Sequence, residues 1–217
     1  MSKLYVDRPI GIDLGTTNSE VAILDPSERE LHVYADRCGR KTVPSAVAWD
    51  PDAQSILVGR PARARRGEAP GPIESIKRKM GLSEPVSLGE GAPSMRPEEV
   101  SALLLAELRQ AMTTHLEAGA PEGVAVHARR AVITVPAYFD APQVEATRRA
   151  GELAELEVLG VLQEPTAAAI YHTWKHRRGD GNALVYDLGG GTFDVSVLRR
   201  LGGEYQVLAI DGDNFLG

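Results

Sequence analysis

The chain has 217 residues, of which 43% are hydrophobic and 25% charged, a composition typical of a globular protein with one large domain or two small ones. The formal net charge of −6 excludes the overall basic character of a nucleic-acid-binding domain. The single cysteine, Cys38, excludes an internal disulfide. No run reaches the roughly 18 apolar residues of a membrane span. We therefore expect a cytoplasmic protein that binds neither nucleic acid nor membrane.

The first predicted element is a β-hairpin near the amino terminus. Residues 10–14 and 21–24 are short apolar runs, and the glycine, threonine and asparagine residues between them favour a tight turn. A further strand is predicted around residues 43–49, where apolar residues again dominate.

Residues 50–95 contain many prolines and glycines and show weak hydrophobic periodicity. This pattern predicts loops and short elements, with residues 72–81 as the best candidate for a local helix. Basic residues cluster in the same region, and we interpret them as a solvated face of the protein. They are Arg60, Arg63, Arg65, Arg66, Lys77, Arg78 and Lys79.

A long helix is predicted over residues 97–119. Pro97 suits a first helical turn, the two acids that follow it complement the helix dipole, and Gly119 favours an end. Apolar residues at helical spacing predict one buried face. They are Val100, Leu103, Leu104 and Leu108, with Met112 close by.

Strands and helices alternate in part of the second half of the chain, which indicates a mixed α/β class. The predicted elements are a strand over 131–135, a helix over 140–156, a strand over 158–162, a helix from 164 to about 178, a hairpin over 183–198 and a strand over 205–210. Residues 179–182 are predicted to form a loop.

Two segments of the chain repeat one pattern. Residues 13–24 align with residues 187–198 without a gap, at an offset of 174 residues, with identical residues at five of twelve positions. This offset is far longer than the periods of solenoid proteins, which run to roughly 50 residues. The repeat therefore predicts two related lobes, each opening with a hairpin that carries an acid before a turn of small residues.

The composition of these turns is typical of a phosphate site. Glycines let the backbone turn sharply and aim amide groups at an anion, and Thr16, Thr17 and Thr192 add hydroxyl donors. Acids beside such a turn would repel the anion, so Asp13 and Asp187 indicate a hydrated magnesium ion between acid and polyphosphate. The alternatives are missing, since the sequence contains no G-x-x-x-x-G-K-[ST] loop and the second turn fails the G-x-G-x-x-G spacing.

Four motifs in this order resemble those of the DnaK-type (seventy-kilodalton heat-shock) chaperones. They are Gly11-Ile-Asp-Leu-Gly-Thr-Thr-Asn-Ser19, Val135-Pro-Ala-Tyr-Phe139, Glu164-Pro-Thr-Ala-Ala-Ala-Ile170 and Asp187-Leu-Gly-Gly-Gly-Thr-Phe-Asp-Val195. The resemblance implies an actin-like ATPase (ribonuclease H-like) fold, present as lobe I and the first strands of lobe II. Lobe I would occupy residues 1–180, with an inserted subdomain at about 36–115, and lobe II would open in residues 181–217.

The same resemblance assigns roles to individual residues and implies ATP or ADP with Mg²⁺ as ligands. Asp13 and Asp187 would hold water molecules of the magnesium ion. Lys77, Glu164 and Asp194 would be catalytic, with Lys77 near the terminal phosphate and the two acids near the attacking water. The residues that would bind the phosphates are Gly15, Thr16, Thr17, Asn18, Gly189, Gly190, Gly191 and Thr192.

The resemblance also implies a chaperone cycle, in which ATP binding and hydrolysis control the grip on unfolded client proteins and co-chaperones take part. In the family, positions that match Pro136, Asp140 and Val144 pass the nucleotide signal to the client-binding part. This chain has Asp140 and Val144 where the family usually has asparagine and arginine, and valine cannot make the charged hydrogen bonds of arginine. The usual coupling is therefore in question.

By this resemblance the chain would hold only the opening of the second lobe, and we expect the adenosine-binding segments to lie outside it. The parent protein would be an ATPase, whereas the chain itself would bind ATP weakly and hydrolyse it negligibly. Its last hairpin would expose an apolar face, with Phe193, Val195 and Val197 as candidates. This face would be available for self-association of the chain.

Three other functions remain open at this point. An actin-like filament or scaffold protein has similar phosphate turns, a sugar or acetate kinase would add a substrate pocket, and a non-catalytic interaction module would need no complete site. The motifs that begin at Val135 and Glu164 favour the chaperone over the actin-like protein.

Overall fold

A computed structural model describes residues 4–25, 30–34, 36, 38–122, 124–189, 193–213 and 216. The chain divides into two compact units. The first unit comprises Met1–Ile133 and Ala141–Val161, and the second comprises Thr134–Asp140 and Leu162–Gly217. The lobe boundary at residue 180 and the inserted subdomain at about 36–115 stay predictions.

The described residues form strands, four α-helices and one 3₁₀ helix, so the predicted mixed α/β class is confirmed. The strands are β1 Leu4–Asp7, β2 Ile10–Asp13, β3 Asn18–Asp25, β4 Glu30–Val33, β5 Val43–Pro44, β6 Ala46–Asp50, β7 Ser55–Val58, β8 Ile73–Glu74, β9 Val86–Ser87, β10 Ser94–Met95, β11 Val124–His127, β12 Arg130–Val135, β13 Glu157–Gln163, β14 Gly181–Leu188, β15 Phe193–Leu201 and β16 Glu204–Asp213. The helices are α1 Arg60–Ala64, the 3₁₀ helix Ile76–Lys79, α2 Pro97–Ala118, α3 Ala141–Leu153 and α4 Glu164–His176.

The largest sheet has the strand order β13-β12-β2-β3-β4, and β5 pairs with β3 beside this path. β12 runs parallel to β2, whereas β2, β3 and β4 are antiparallel neighbours. Side chains alternate between its two faces, so in β2 the residues Ile10 and Ile12 are buried while Gly11 and Asp13 are exposed. The predicted first hairpin and the strand predicted over residues 131–135 are thereby confirmed.

The long helix α2 covers the core of the first unit and ends before Gly119, as predicted. Its buried apolar residues are Val100, Ala102, Leu104, Leu105, Leu108 and Met112. The predicted face was wrong in one respect, because Leu103 is only half-buried and Leu105 is fully buried. With 3.6 residues per turn, Leu105 lies only about 20° around the helix from Met112, whereas Leu103 lies about 180° from it, on the opposite side of the helix.

The region of residues 50–95 forms loops and short elements, as predicted. β7 and α1 are among these elements, and the helix proposed over residues 72–81 is reduced to β8 and one turn of 3₁₀ helix. α1 packs on a small apolar cluster in which Ala46, Ala48 and Ala62 are buried, with Leu57 against them. Elements this short have too few residues to show a hydrophobic period, which explains why periodicity missed them.

In the second unit, β14, β15 and β16 form an antiparallel sheet in this order, which confirms the predicted hairpin and final strand. Residues that pair directly share one face of a sheet. One face carries the apolar residues Leu184, Tyr186 and Leu188 of β14, paired with Val197, Val195 and Phe193 of β15, respectively. The three β14 residues are 68%, 66% and 58% exposed, so the predicted exposed apolar face is present. Its most exposed residues lie on β14, whereas the predicted residues, which lie on β15, are half-buried. Self-association through this face stays a prediction.

Several strand pairings were not predicted, among them β1 with β11, β3 with β4 and β9 with β10. The helices predicted over 140–156 and from 164 to about 178 are confirmed with shorter bounds, and β14 begins inside the predicted loop 179–182. In the part of the chain that the structure describes, no helix is both long and apolar enough to cross a membrane.

Gly151 of α3 permits a close contact with the sheet of the first unit. A Cβ atom at this position would lie 2.5 Å from Val158 Cγ2 and 2.9 Å from Ile133 Cδ1. We therefore expect Gly151→Ala to lower the free energy of unfolding by about 1–3 kcal/mol, measured by urea unfolding, because the added methyl group overpacks the core. Gly160→Ala is the matched control, since a Cβ there meets nothing within 4 Å. Equal stability of the two variants would contradict this packing.

Candidate functional site

The first predicted phosphate turn connects β2 and β3. Asp13 at the end of β2 pairs with Glu20 of β3, so the two acids share one face of the hairpin. Burial raises the pKa of the Glu20 carboxyl, the charge of Asp13 raises this pKa further, and Lys41 lowers it. A cation near the pair would offset the repulsion between the two carboxylates. Glu20 was not predicted as a site residue, although its match to Asp194 in the sequence repeat carried the signal.

A buried pair of serines holds this turn. Ser45 Oγ donates to the Gly15 carbonyl oxygen at 2.8 Å, and the Ser45 amide donates to the Thr17 carbonyl oxygen at 2.9 Å. Because the Ser45 hydroxyl proton is used on Gly15, Ser19 Oγ donates to Ser45 Oγ at 2.9 Å. Gly15 is required in the turn because an added Cβ would collide with the Asn18 carbonyl oxygen. The backbone of the turn is thus fixed from the interior of the unit.

The interpretation of the basic cluster as a solvated face holds for Arg66, Arg78 and Lys79, which are exposed, but Arg63 is half-buried and makes specific contacts. Arg63 donates to the Thr17 carbonyl oxygen and, at 2.9 Å, to Asn18 Oδ1. The other contacts are Arg60 with the Thr42 carbonyl oxygen, Arg65 with Asp50 and Glu68, and Arg66 with Glu74. The sequence carried no sign of the Arg63 contact, because its acceptors lie about 45 positions away.

Lys77 lies in the 3₁₀ helix and is only 6% exposed, whereas its neighbours Arg78 and Lys79 are exposed. Burying an ammonium group is costly unless the group is paired. α2 packs on the 3₁₀ helix. Met80 directly follows the 3₁₀ helix, and its Sδ accepts a hydrogen bond of 3.2 Å from Ser101 Oγ of α2. Burial therefore distinguishes Lys77 from the other basic residues of its segment.

The second predicted phosphate turn connects β14 and β15. Asp187 pairs with Asp194, as Asp13 pairs with Glu20, and six residues separate the paired acids in both hairpins. The two residue pairs next to the acids also correspond between the hairpins. Each residue in these pairs of the first hairpin has its counterpart 174 residues further along the chain, in the second hairpin. The repeat seen in the sequence is therefore also a repeat of backbone register.

The structure describes the second turn only in part. Asp187 and Gly189 are exposed. The predicted phosphate ligands Gly190, Gly191 and Thr192 lie outside the described residues. The comparison of the two hairpins therefore rests on their strands and on the acids at the strand ends.

Asp194 lines a cavity of about 210 Å³ within the second unit. Ala137 and Tyr138, which belong to the motif over residues 135–139, line the same cavity. Asp211 of β16 also lines it and was not predicted, because this strand was recognised from its apolar residues alone. The second unit thus places one predicted catalytic acid beside a motif that the sequence had singled out separately.

Glu164 is the first residue of α4, where an acid complements the helix dipole. Gln163 occupies the N-cap position, and its side-chain amide donates to the Ala137 carbonyl oxygen at 3.2 Å. Pro165 follows in the first helical turn and is buried. This hydrogen bond joins the start of α4 to the segment that lines the cavity.

The first unit brings Asp13, Gly15, Thr16, Thr17 and Asn18 together in one turn and holds Lys77 in a separate buried segment. Among the residues that the structure describes, no three His, Cys, Asp or Glu side chains cluster in a way that could hold a metal ion directly. Paired acids can still act on a hydrated magnesium ion, which keeps several of its waters and takes few carboxylates.

Comparison with known proteins identifies relatives along nearly the whole chain. A family model described as Hsp70 protein matches residues 9–87 and 84–217. Curated relatives named chaperone protein DnaK include those of Mycoplasma mobile (44% identical over 211 residues), Mycoplasmopsis pulmonis (43% over 208) and Thermosipho melanesiensis (42% over 209). These matches cover 97%, 96% and 96% of the chain and 33%, 32% and 33% of the relatives. The chain therefore spans about a third of the length of the curated relatives it matches.

The acid pair of the first hairpin makes stability depend on pH in a defined direction. Below the ordinary pKa of 4.5, Glu20 is protonated in the folded and unfolded chain and has no effect. As the pH rises, the unfolded chain ionises first, so the raised pKa of folded Glu20 reduces stability. We expect Glu20→Gln to raise the melting temperature near neutral pH and to leave it unchanged in acid. Melting curves at the two pH values measure this, and an equal difference at both would contradict the raised pKa.

Proposed function

The chain belongs to the Hsp70 family, and from this premise we propose that it is the ATP-binding part of a molecular-chaperone ATPase. One observation carries the proposal beyond family membership. Two hairpins with the same register each place a pair of acids beside a turn of small residues. Such turns suit the phosphates of a nucleotide, and the acids suit the cation that accompanies them.

The acid pair fits a hydrated magnesium ion. Asp13 lies next to Glu20, and the raised pKa of Glu20 reflects both burial and the negative charge of Asp13, which a nearby cation would offset. We assign Asp13 and Asp187 to the water molecules of this ion. When bound, Mg²⁺ supplies positive charge against the phosphate oxygens.

The turn residues and the buried lysine have complementary roles in this proposal. Gly15, Thr16, Thr17 and Asn18 bind phosphate oxygens through amide and hydroxyl donors, and residues 189–192 do the same in the second hairpin. Lys77 stabilises negative charge that develops on the terminal phosphate, and its burial supports this because a charge acts more strongly out of water. Glu164 and Asp194 orient the attacking water.

The finer assignment of the fold and of the whole protein belongs to the same proposal. Residues 1–180 form lobe I of an actin-like ATPase fold, and residues 181–217 open lobe II. In the whole protein, located in the cytoplasm, ATP turnover controls the grip on unfolded client proteins, with co-chaperones as partners. The names of the curated relatives support the chaperone role.

Magnesium-dependent ATP binding by the chain tests the proposal. We expect Asp13→Asn to weaken the affinity for Mg-ATP by about 10- to 100-fold, the range typical of losing a group that orients a metal ligand. Binding of ATP without magnesium should change little. Titration calorimetry at high ligand concentration, with and without Mg²⁺, measures both.

Asp52→Asn provides the matched control, because Asp52 is an exposed acid in the turn between β6 and β7. We expect this variant to bind Mg-ATP as the unmodified chain does. If Asp13→Asn binds Mg-ATP as tightly as Asp52→Asn, the assignment of Asp13 to the magnesium ion is wrong.

A further inference from the structure

We infer that Arg63 is a positioning residue that holds the first phosphate turn in its binding conformation. This inference rests on the proposed function, because it concerns how the turn of residues 15–18 is kept ready for phosphate. Arg63 lies in α1, outside every motif that identified the site, and the contacts of its guanidinium group lead to it.

The guanidinium group of Arg63 engages the turn at two adjacent residues. One terminal nitrogen, Nη2, donates to the Thr17 carbonyl oxygen, and the other, Nη1, donates to Asn18 Oδ1 at 2.9 Å. The planar fork of arginine suits two acceptors side by side, and such charge-assisted bonds are stronger than neutral ones. The Thr17 carbonyl oxygen also accepts the Ser45 amide, so two donors from different elements hold it.

Fixing this carbonyl oxygen matters for an anion site. A carbonyl oxygen carries partial negative charge and would repel a phosphate if it turned toward it. Because the oxygen of Thr17 is bonded to Arg63 and Ser45, the turn keeps it directed at these donors. Arg63 thus donates one N–H from each terminal nitrogen to the turn and serves the phosphate indirectly, through the shape of the turn.

The position of Arg63 is itself determined by packing. Ala62, the preceding residue, is fully buried against Ala46 and Ala48 of β6, which fixes the rotation of the short helix α1. α1 begins after Gly59, whose φ of 73° favours glycine, and a Cβ there would lie 3.1 Å from Val43 Cγ1. A close-packed helix start thus aims Arg63 at the turn.

Glu74 connects Arg63 to the segment that contains Lys77. Arg63 Nε lies 3.3 Å from Glu74 Oε1, and Arg66 holds both carboxylate oxygens of Glu74 with bonds of 2.8 Å. Glu74 ends β8, three residues before Lys77. One guanidinium group therefore bridges the predicted phosphate turn and the chain segment of the predicted catalytic lysine.

Titration of the chain with Mg-ATP, followed by nuclear magnetic resonance, tests the inference on three variants. We expect Arg63→Gln to weaken Mg-ATP binding about tenfold, because the turn loses a charge-assisted anchor. Arg63→Lys keeps the charge but lacks the fork, so we expect a loss of about threefold. Arg65→Gln is the matched control: Arg65 directly follows α1, and its side chain pairs with Asp50 and Glu68, which are not residues of the turn, so binding should stay unchanged.

Hydrogen exchange of the Ser45 amide, measured without nucleotide, separates this inference from the proposed function. This amide donates to the Thr17 carbonyl oxygen, so its exchange rate reports how firmly the turn is held. We expect faster exchange in Arg63→Gln and an unchanged rate in Arg65→Gln. If the unmodified chain does not bind Mg-ATP, the proposed function fails, and the exchange rate alone decides the role of Arg63.

Two results would overturn the inference. One is an exchange rate of the Ser45 amide in Arg63→Gln equal to that in Arg65→Gln. The other is equal Mg-ATP affinity of these two variants when the unmodified chain binds. If Arg63→Gln does not fold, the same comparisons are made with Arg63→Lys, which keeps the positive charge beside Glu74.

Discussion

The antiparallel register between β2 and β3 is the constraint on which the candidate site depends. It places Asp13 beside Glu20, an arrangement that like charges disfavour, as the raised pKa of Glu20 reflects. The register cannot slip, because a shift by one residue would move every buried side chain of the hairpin to the other face. These side chains are Ile10, Ile12, Val21 and Ile23. Apolar packing on one face thus holds an unfavourable charge pair in place on the hairpin, a local conflict typical of functional sites.

The least regular part of the sequence supports this hairpin. The loop at Ser45 and α1 supply the donors that hold the carbonyl oxygens of the turn, and β5 pairs with β3 beside it. Small buried residues, Ala46 and Ala62 among them, let α1 approach the sheet closely enough for Arg63 to reach the turn. Short, closely packed elements therefore fix the position of the Arg63 side chain.

Periodicity and local composition predicted the elements that are long or that repeat, including α2, the two hairpins and the strand before Pro136. They missed β1, whose partner β11 lies about 120 positions further along the chain, since pairing at such a distance leaves no local pattern. The site was predictable where a motif marks it, as at Asp13. Arg63 was not predicted, because its acceptors are distant in the sequence. Glu20 was overlooked although its match to Asp194 in the repeat marked it, because only the strand register shows that it is the partner of Asp13.

The shared register of the two hairpins also bears on how this chain can vary. Within each turn, we expect the six residues between the paired acids to disfavour an insertion or deletion, because a change in their number alters the turn or the register that places the acids. The long interval between the hairpins carries no such restriction where it runs through exposed loops, since longer loops cost little free energy. Length differences among homologous chains should therefore collect in those loops, and the two turns should keep a constant length even where their side chains differ.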